Sequence, residues 1–210
     1  IIDAGGKTVM PGLIDAHVHT DLIGHGDYTR YYKFTNGIER IHDVMPIAAK
    51  QMLRAGVTSA IDLGTPFQIL ELREKIRLGE IPGPRLTVSG PWISRISWPG
   101  IPPEFETIIT TTEEAVLETR KNIENGSDVI KLWAGLTQED YYAVVKEAHK
   151  SGIKVHAHLY DPKAIRAAIN AKVDAGLPFT AWVLIPPIGI FTRMSFPKPP
   201  TLSPFLLNSG

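Results

Sequence analysis

Two pairs of histidines and one lysine are the residues of this 210-residue chain best placed by type and spacing to do chemistry. His17 and His19 close the apolar run "GLIDAHVHT", and His156 and His158 close "IKVHAHLY". Alternate side chains of an extended strand share a face, so each pair presents both rings on one side, with Val18 or Ala157 on the other. Imidazoles paired in this way can grip a metal ion. They can equally be packed core residues, each needing a polar partner of its own. Lys131 stands inside "DVIKLW", an apolar stretch in which an ammonium group is costly. Burial lowers the pKa of such a lysine. Its neutral amine can then take up carbon dioxide as a carbamate, an anionic two-oxygen ligand able to bridge two divalent metals. The plainer alternative is a lysine at a strand end whose head reaches solvent.

These residues sit on a repeating strand–helix pattern. Strands are predicted at "LIDAHVH", "VTSAIDLG", "PRLTVSG", "DVIKLW" and "IKVHAHLY". Helices are predicted between and after them. "GIERIHDVMPIAAKQMLRAG" has Pro46 as a break or a late first turn, and "PFQILELREKIRLGE" is opened by Pro66. "TTEEAVLETRKNIENG" carries a Thr111–Glu114 capping box and stops at Gly126, while "TQEDYYAVVKEAHKSG" repeats that opening. "DPKAIRAAINAK" has Asp161 as its cap and Pro162 at its first position. Five βα units with strands apolar on both faces imply a parallel sheet covered by helices. A doubly wound sheet and a barrel both fit. No glycine-rich phosphate turn follows the first strand, and the polar residues collect at the C-terminal ends of strands one, four and five. The expected fold is therefore α/β, an incomplete (β/α)8 TIM-like barrel of about five units.

Composition excludes several partner classes. Acidic and basic residues balance at 22 each, giving no electrostatic reason to expect nucleic acid or an anionic membrane. There is no cysteine, hence no disulfide and no thiolate metal site. "AWVLIPPIGIF" is about half a membrane span and holds two prolines. No signal-peptide pattern is visible, so a cytoplasmic location is expected. "IIDAGGKTVM" lacks an initiator methionine, which predicts a start within a longer protein. From Ala175 onward the only charged residues are Arg193 and Lys198, and seven of the 17 prolines fall there. That stretch reads as an irregular proline-rich tail or as sequence outside its natural frame. The expected organisation is a remnant of a small β domain at 1–9, a partial barrel at 10–174 and the tail at 175–210.

"VMPGLIDAHVHT" resembles the opening of the amidohydrolase superfamily, where a proline–glycine turn leads into the first barrel strand. "AGVTSAIDLG", "GSDVIKLW" and "GIKVHAHLYD" are similar to strands two, four and five of the branch that holds imidazolonepropionase-like proteins and metal-dependent prolidases. The resemblance covers roughly residues 1–174. It implies two divalent metal ions, zinc foremost. His17 and His19 would bind the more buried ion, carboxylated Lys131 would bridge, and His156 would bind the second, with His158 close to a small-molecule substrate. The family also supplies a histidine from strand six and an aspartate from strand eight that binds metal and acts as general base. No histidine follows His158 here, and Asp174 comes too early for that aspartate. The third loop, "GPWISRISWPGIPPEFE", departs from the family pattern too; its Trp92, Arg95 and Trp98 could shape a pocket, with Arg95 on a substrate carboxylate.

The implied reaction is hydrolysis of an amide or related C–N bond, including that of a dipeptide, by metal-activated water. This chain alone is expected to be inactive. Three other readings remain: a metal-binding fragment without catalysis, a mononuclear deaminase-like site that would need no carbamate, and a doubly wound module whose histidines do not converge. The assembly state is not legible in the sequence.

Overall fold

The computed structural model describes residues 3–23 and 27–178. Eight strands and six helices follow in order: β1 (Leu13–Val18), α1 (Tyr28–Phe34), α2 (Ile41–Arg54), β2 (Val57–Asp62), α3 (Gln68–Arg77), β3 (Arg85–Val88), β4 (Trp92–Ser94), β5 (Glu106–Ile108), α4 (Thr112–Glu124), β6 (Val129–Leu132), α5 (Gln138–Lys150), β7 (Lys154–Leu159), α6 (Pro162–Ala171) and β8 (Ala175–Pro178). Every strand pairing is parallel, with α-helical crossovers except between β4 and β5, which a loop joins. The strands form two hydrogen-bonded groups, β1-β2-β3 and β5-β4-β6-β7-β8.

The division falls at Ser89-Gly90-Pro91, where one barrel strand bends. Gly90 has φ +67°, and a Cβ there would lie 2.9 Å from the Phe67 ring. Before the bend the chain pairs with β2; after it the chain pairs with β5 and β6. Asp128 closes the seam. Its N–H donates to the Val88 carbonyl at 2.8 Å, and its carboxylate accepts from Val88 N at 2.9 Å and from Arg73. The result is an open arc of a parallel (β/α)8 barrel, six strand positions from β1 to β8, with helices outside. β1 has only β2 as a strand neighbour among the described residues, and Leu13 and Ile14 are 48% and 72% exposed.

The helices form where the sequence signals fall. Thr111 and Glu114 make the capping box of α4, Thr137 and Asp140 make that of α5, and Asp161 accepts from Lys163 N and Ala164 N at the start of α6. α2 runs through Pro46 without a break. The fully buried faces of α4, α5 and α6 pack on Ile130, Leu132, Val155 and Ala157, while α2 and α3 cover Ala60, Leu86 and Val88. Such layered burial, about 25 cal/mol per Å² of apolar surface, holds the arc together.

Two elements depart from the sequence reading. The third loop contains β4 and β5, each three residues long, and α1 precedes α2. Strand pairing also continues to Pro178, four residues into the stretch read as irregular, with His156 opposite Ala175 and His158 opposite Leu177. Residues 179–210, and the tail reading that concerns them, lie outside the described residues.

Candidate metal centre

The strand register gathers the chemistry-bearing residues on the inner face. Lys131 pairs with His156 across β6 and β7, so the two side chains leave the sheet on the same side, with His158 two residues further on. From β1, the His17 ring lies 5.1 Å from that of His19 and 5.7 Å from that of His158. His158 rather than His156 is thus the ring packed against His17. His156 is felt by His17 as an electrostatic neighbour.

Lys131 is fully buried, and its Nζ has no hydrogen-bond partner among the described residues; it lies 5.5 Å from the centre of the Trp133 ring. Burial alone lowers its pKa to about 7. The reading of this lysine as one whose head reaches solvent is therefore incorrect. Burial, helped by the Lys131 charge and the neighbouring imidazoles, lowers His17 to about 2. Burial and Lys131 lower His19 to about 4 against the opposing pull of Asp62. Burial, Lys131 and His19 lower His158 to about 3, and His156 is lowered by burial and Lys131. At neutral pH the rings are unprotonated, the form that ligates metal.

Among the described residues no three His, Asp or Glu side chains are gathered into a cage of their own. Lys131 is a further donor at this place. Beside it the Trp133 indole N–H is also buried without an acceptor. An unpaired amine and an unpaired N–H next to neutral imidazoles fit an anionic oxygen group and a cation to balance it.

Aromatic rings wall this region. His158 stacks on Tyr160 at 4.7 Å and meets Trp133 at 4.6 Å, and the half-exposed Trp98 stacks on Tyr160 at 6.3 Å. Trp133 and Tyr160 were missed in the sequence although each stands two residues beyond a singled-out residue, Lys131 and His158, and so shares its face.

Two expected substrate contacts have other employment. Arg95 makes a two-pronged ion pair with Asp140, Nε to Oδ2 at 2.6 Å and Nη2 to Oδ1 at 2.9 Å, and donates its remaining Nη1 to the Thr110 carbonyl. Burial pushes the Asp140 carboxyl up, but Arg95 and the Thr137 amide hold it down to about 2. Arg95 thus ties the third loop to the α5 cap. Arg95→Ala, which strands a buried carboxylate, is expected to cost on the order of 3 kcal/mol in urea unfolding while leaving zinc affinity unchanged. Trp92 is 4% exposed, gives its N–H to Glu106 at 3.3 Å and stacks on Trp133 at 4.9 Å. It backs His19, edge-on at 6.5 Å, and is a packing residue.

The sequence pattern of the amidohydrolase family matches residues 8–180. A solved amidohydrolase superposes with a TM-score of 0.71 at 27% identity, over 83% of this chain and 49% of that one. A prolidase complexed with N-methylphosphonate-L-proline gives a TM-score of 0.70 at 25% identity, over 81% and 48%. The ochratoxinase of A. niger shares the fold, with a TM-score of 0.65 at 24% identity over 80% and 46%. The chain therefore spans about half the length of these structures. No curated protein matches it in sequence. With the pattern matched across most of its length and the barrel arc in place, the chain belongs to the amidohydrolase family.

Proposed function

We propose that this chain carries the main metal-binding part of a metal-dependent hydrolase acting on amide or related C–N bonds. The observation that carries the reading is the buried Lys131 amine, without a hydrogen-bond partner among the described residues, beside four imidazoles held neutral. His17 and His19 would hold one divalent ion, zinc foremost, and His156 the second, with Lys131 between them and His158 turned to the substrate. With its pKa lowered to about 7 by burial, the Lys131 amine is available in its neutral form near neutral pH. Its lone pair would attack carbon dioxide, forming an N–C bond as one N–H proton passes to solvent, and the carbamate oxygens would serve to hold the ions. The bound metals would supply an activated water and polarise a carbonyl.

The chain's own residues do the remaining work. Trp133, Tyr160 and Trp98 form an apolar wall that excludes water and favours small substrates with a flat, apolar part. The prolidase structure with its proline phosphonate supports dipeptides ending in proline as the first substrates to try. Asp21 and Asp62, the carboxylates nearest His19 in the chain and across β2, are buried and engaged in hydrogen bonds, so neither stands ready as a general base. We accordingly expect the 210-residue chain to bind zinc but to turn over substrate slower by roughly 10²–10⁴ than it would with such a base in place. The test is zinc titration of the chain with and without ¹³C-bicarbonate. Bicarbonate should raise the stoichiometry from one ion to two and give a carbamate ¹³C signal that Lys131→Met abolishes. A single site indifferent to bicarbonate would instead favour the mononuclear reading.

A further inference from the structure

The backbone ladder between β1 and β2 is irregular between Asp15 and Val18, just where the histidine pair begins, so regular strand pairing does not hold His19 in place. Other contacts do. Leu63 N donates to the Val18 carbonyl at 3.1 Å, which fixes the peptide unit before His19. Thr20 N donates to Asp62 Oδ2 at 2.7 Å, which fixes the unit after it, and the carbonyl of that same unit accepts from Leu22 N at 3.1 Å. Both torsions of His19 are thereby set from the end of β2.

Asp62 is fully buried and has no ion-pair partner among the described residues. Four donors replace one. Oδ1 accepts from Gly64 N at 3.3 Å and Thr65 N at 3.0 Å, and Oδ2 accepts from Thr65 Oγ1 at 2.9 Å as well as from Thr20 N. Oδ1 alone would suffice to shape the turn after β2; Oδ2 reaches 42 residues back along the chain to the histidine segment. The turn it shapes is also the floor under the ring. Gly64 has φ +142°, and a Cβ there would lie 2.4 Å from Trp92 and 3.4 Å from His19 Cε1.

We infer that Asp62, with the Thr65 hydroxyl, is a positioning residue that holds the His19 imidazole ready for metal. The inference rests on the metal-binding reading above and adds a residue to it. The side chain touches no substrate; it acts through the peptide unit after His19, which it holds by way of Thr20 N, while the Leu63 amide holds the unit before. Partners that orient metal ligands in this way typically contribute about 10–100-fold in metal affinity.

The experiment uses the full chain and the substitutions Asp62→Asn, Thr65→Val and Thr65→Ser. Zinc affinity is read by competition with a chromophoric chelator, folding by thermal unfolding, and the metal-free ring position by the nuclear Overhauser contact between His19 and Trp92. Asp62→Asn should weaken zinc binding about 10–100-fold and weaken that contact. Thr65→Val, which keeps the shape and removes the hydroxyl, should shift both in the same direction, and Thr65→Ser should restore them. If Asp62→Asn does not fold, the Thr65 pair decides. Unchanged zinc affinity with a lowered melting temperature would overturn the inference, leaving Asp62 as a turn stabiliser. Should the unaltered chain bind no zinc, the metal reading falls by itself. The ring contact then decides separately: lost in Asp62→Asn and Thr65→Val it upholds the positioning role, and retained it removes it.

Discussion

Lys131→Met is expected to stabilise the metal-free protein by on the order of 4 kcal/mol at pH 7, while abolishing the bicarbonate-dependent zinc site. Methionine keeps the length of the stem and fills the same space, but it has no amine to desolvate. The sign follows from linkage. The Lys131 pKa is about 7 in the folded chain, against an ordinary lysine value of 10.5 in the unfolded one. Between these values the unfolded chain binds the extra proton, so the lysine protein gains stability as pH rises from 7 toward 10.5. Below pH 7 the full penalty applies. The advantage of methionine should therefore be largest at pH 6–7 and shrink toward pH 10. Urea unfolding of both proteins at pH 6, 7, 8.5 and 10 measures this. A less stable methionine protein at pH 7 would mean that Lys131 has a buried partner. A residue whose removal strengthens the fold is one that the fold keeps for another purpose.

Period-two alternation makes the inner-face residues legible in the sequence. His17, His19, Lys131, His156 and His158 needed only the assignment of β1, β6 and β7, and each of those strands is a run of apolar residues bounded by turn signals. The same alternation reaches Trp133 and Tyr160, although an aromatic residue at a strand end reads equally well as core. Other features depend on partners distant in the chain. Asp62 reads as the polar end of a strand until its oxygen is seen on Thr20 N, 42 residues away. Arg95 reads as a pocket residue until Asp140 is found 45 residues away. β4 and β5 are too short to show alternation and are defined by pairing with each other, with β4 also pairing with β6. β8 lies in proline-rich sequence and is defined by its register with β7. Local pattern carries what one strand decides alone; what two strands decide together is not written in either.

The imidazoles also set the acid limit of the fold. Below the ordinary histidine pKa of 6.5, the unfolded chain takes up protons on His17, His19 and His158 that the folded chain refuses down to about pH 2–4. Each contributes a loss of about 1.4 kcal/mol per pH unit as the pH falls through this window. Asp21 opposes them. Burial and the adjacent Asp62 charge raise its carboxyl to about 7, so the folded chain holds a proton that the unfolded chain releases down to its ordinary 3.8. These three histidines against one aspartate contribute a net uptake of about two protons on unfolding, or about 3 kcal/mol per pH unit between pH 6 and 4, and the lowered His156 acts in the same direction. A domain at the low end of ordinary stability, about 5 kcal/mol, should then unfold in acid near pH 4, and a more stable one should lose about 6 kcal/mol over the same range. Urea midpoints measured from pH 7 to 4.5 on the metal-free chain give the slope directly. His158→Phe, which keeps a ring beside Trp133 and Tyr160, should remove about one proton and flatten it. Asp21→Asn should remove the counterweight and steepen it by about as much. If His158→Phe leaves the slope unchanged, His158 is protonated in the folded state, and the neutral-imidazole basis of the metal centre fails with it.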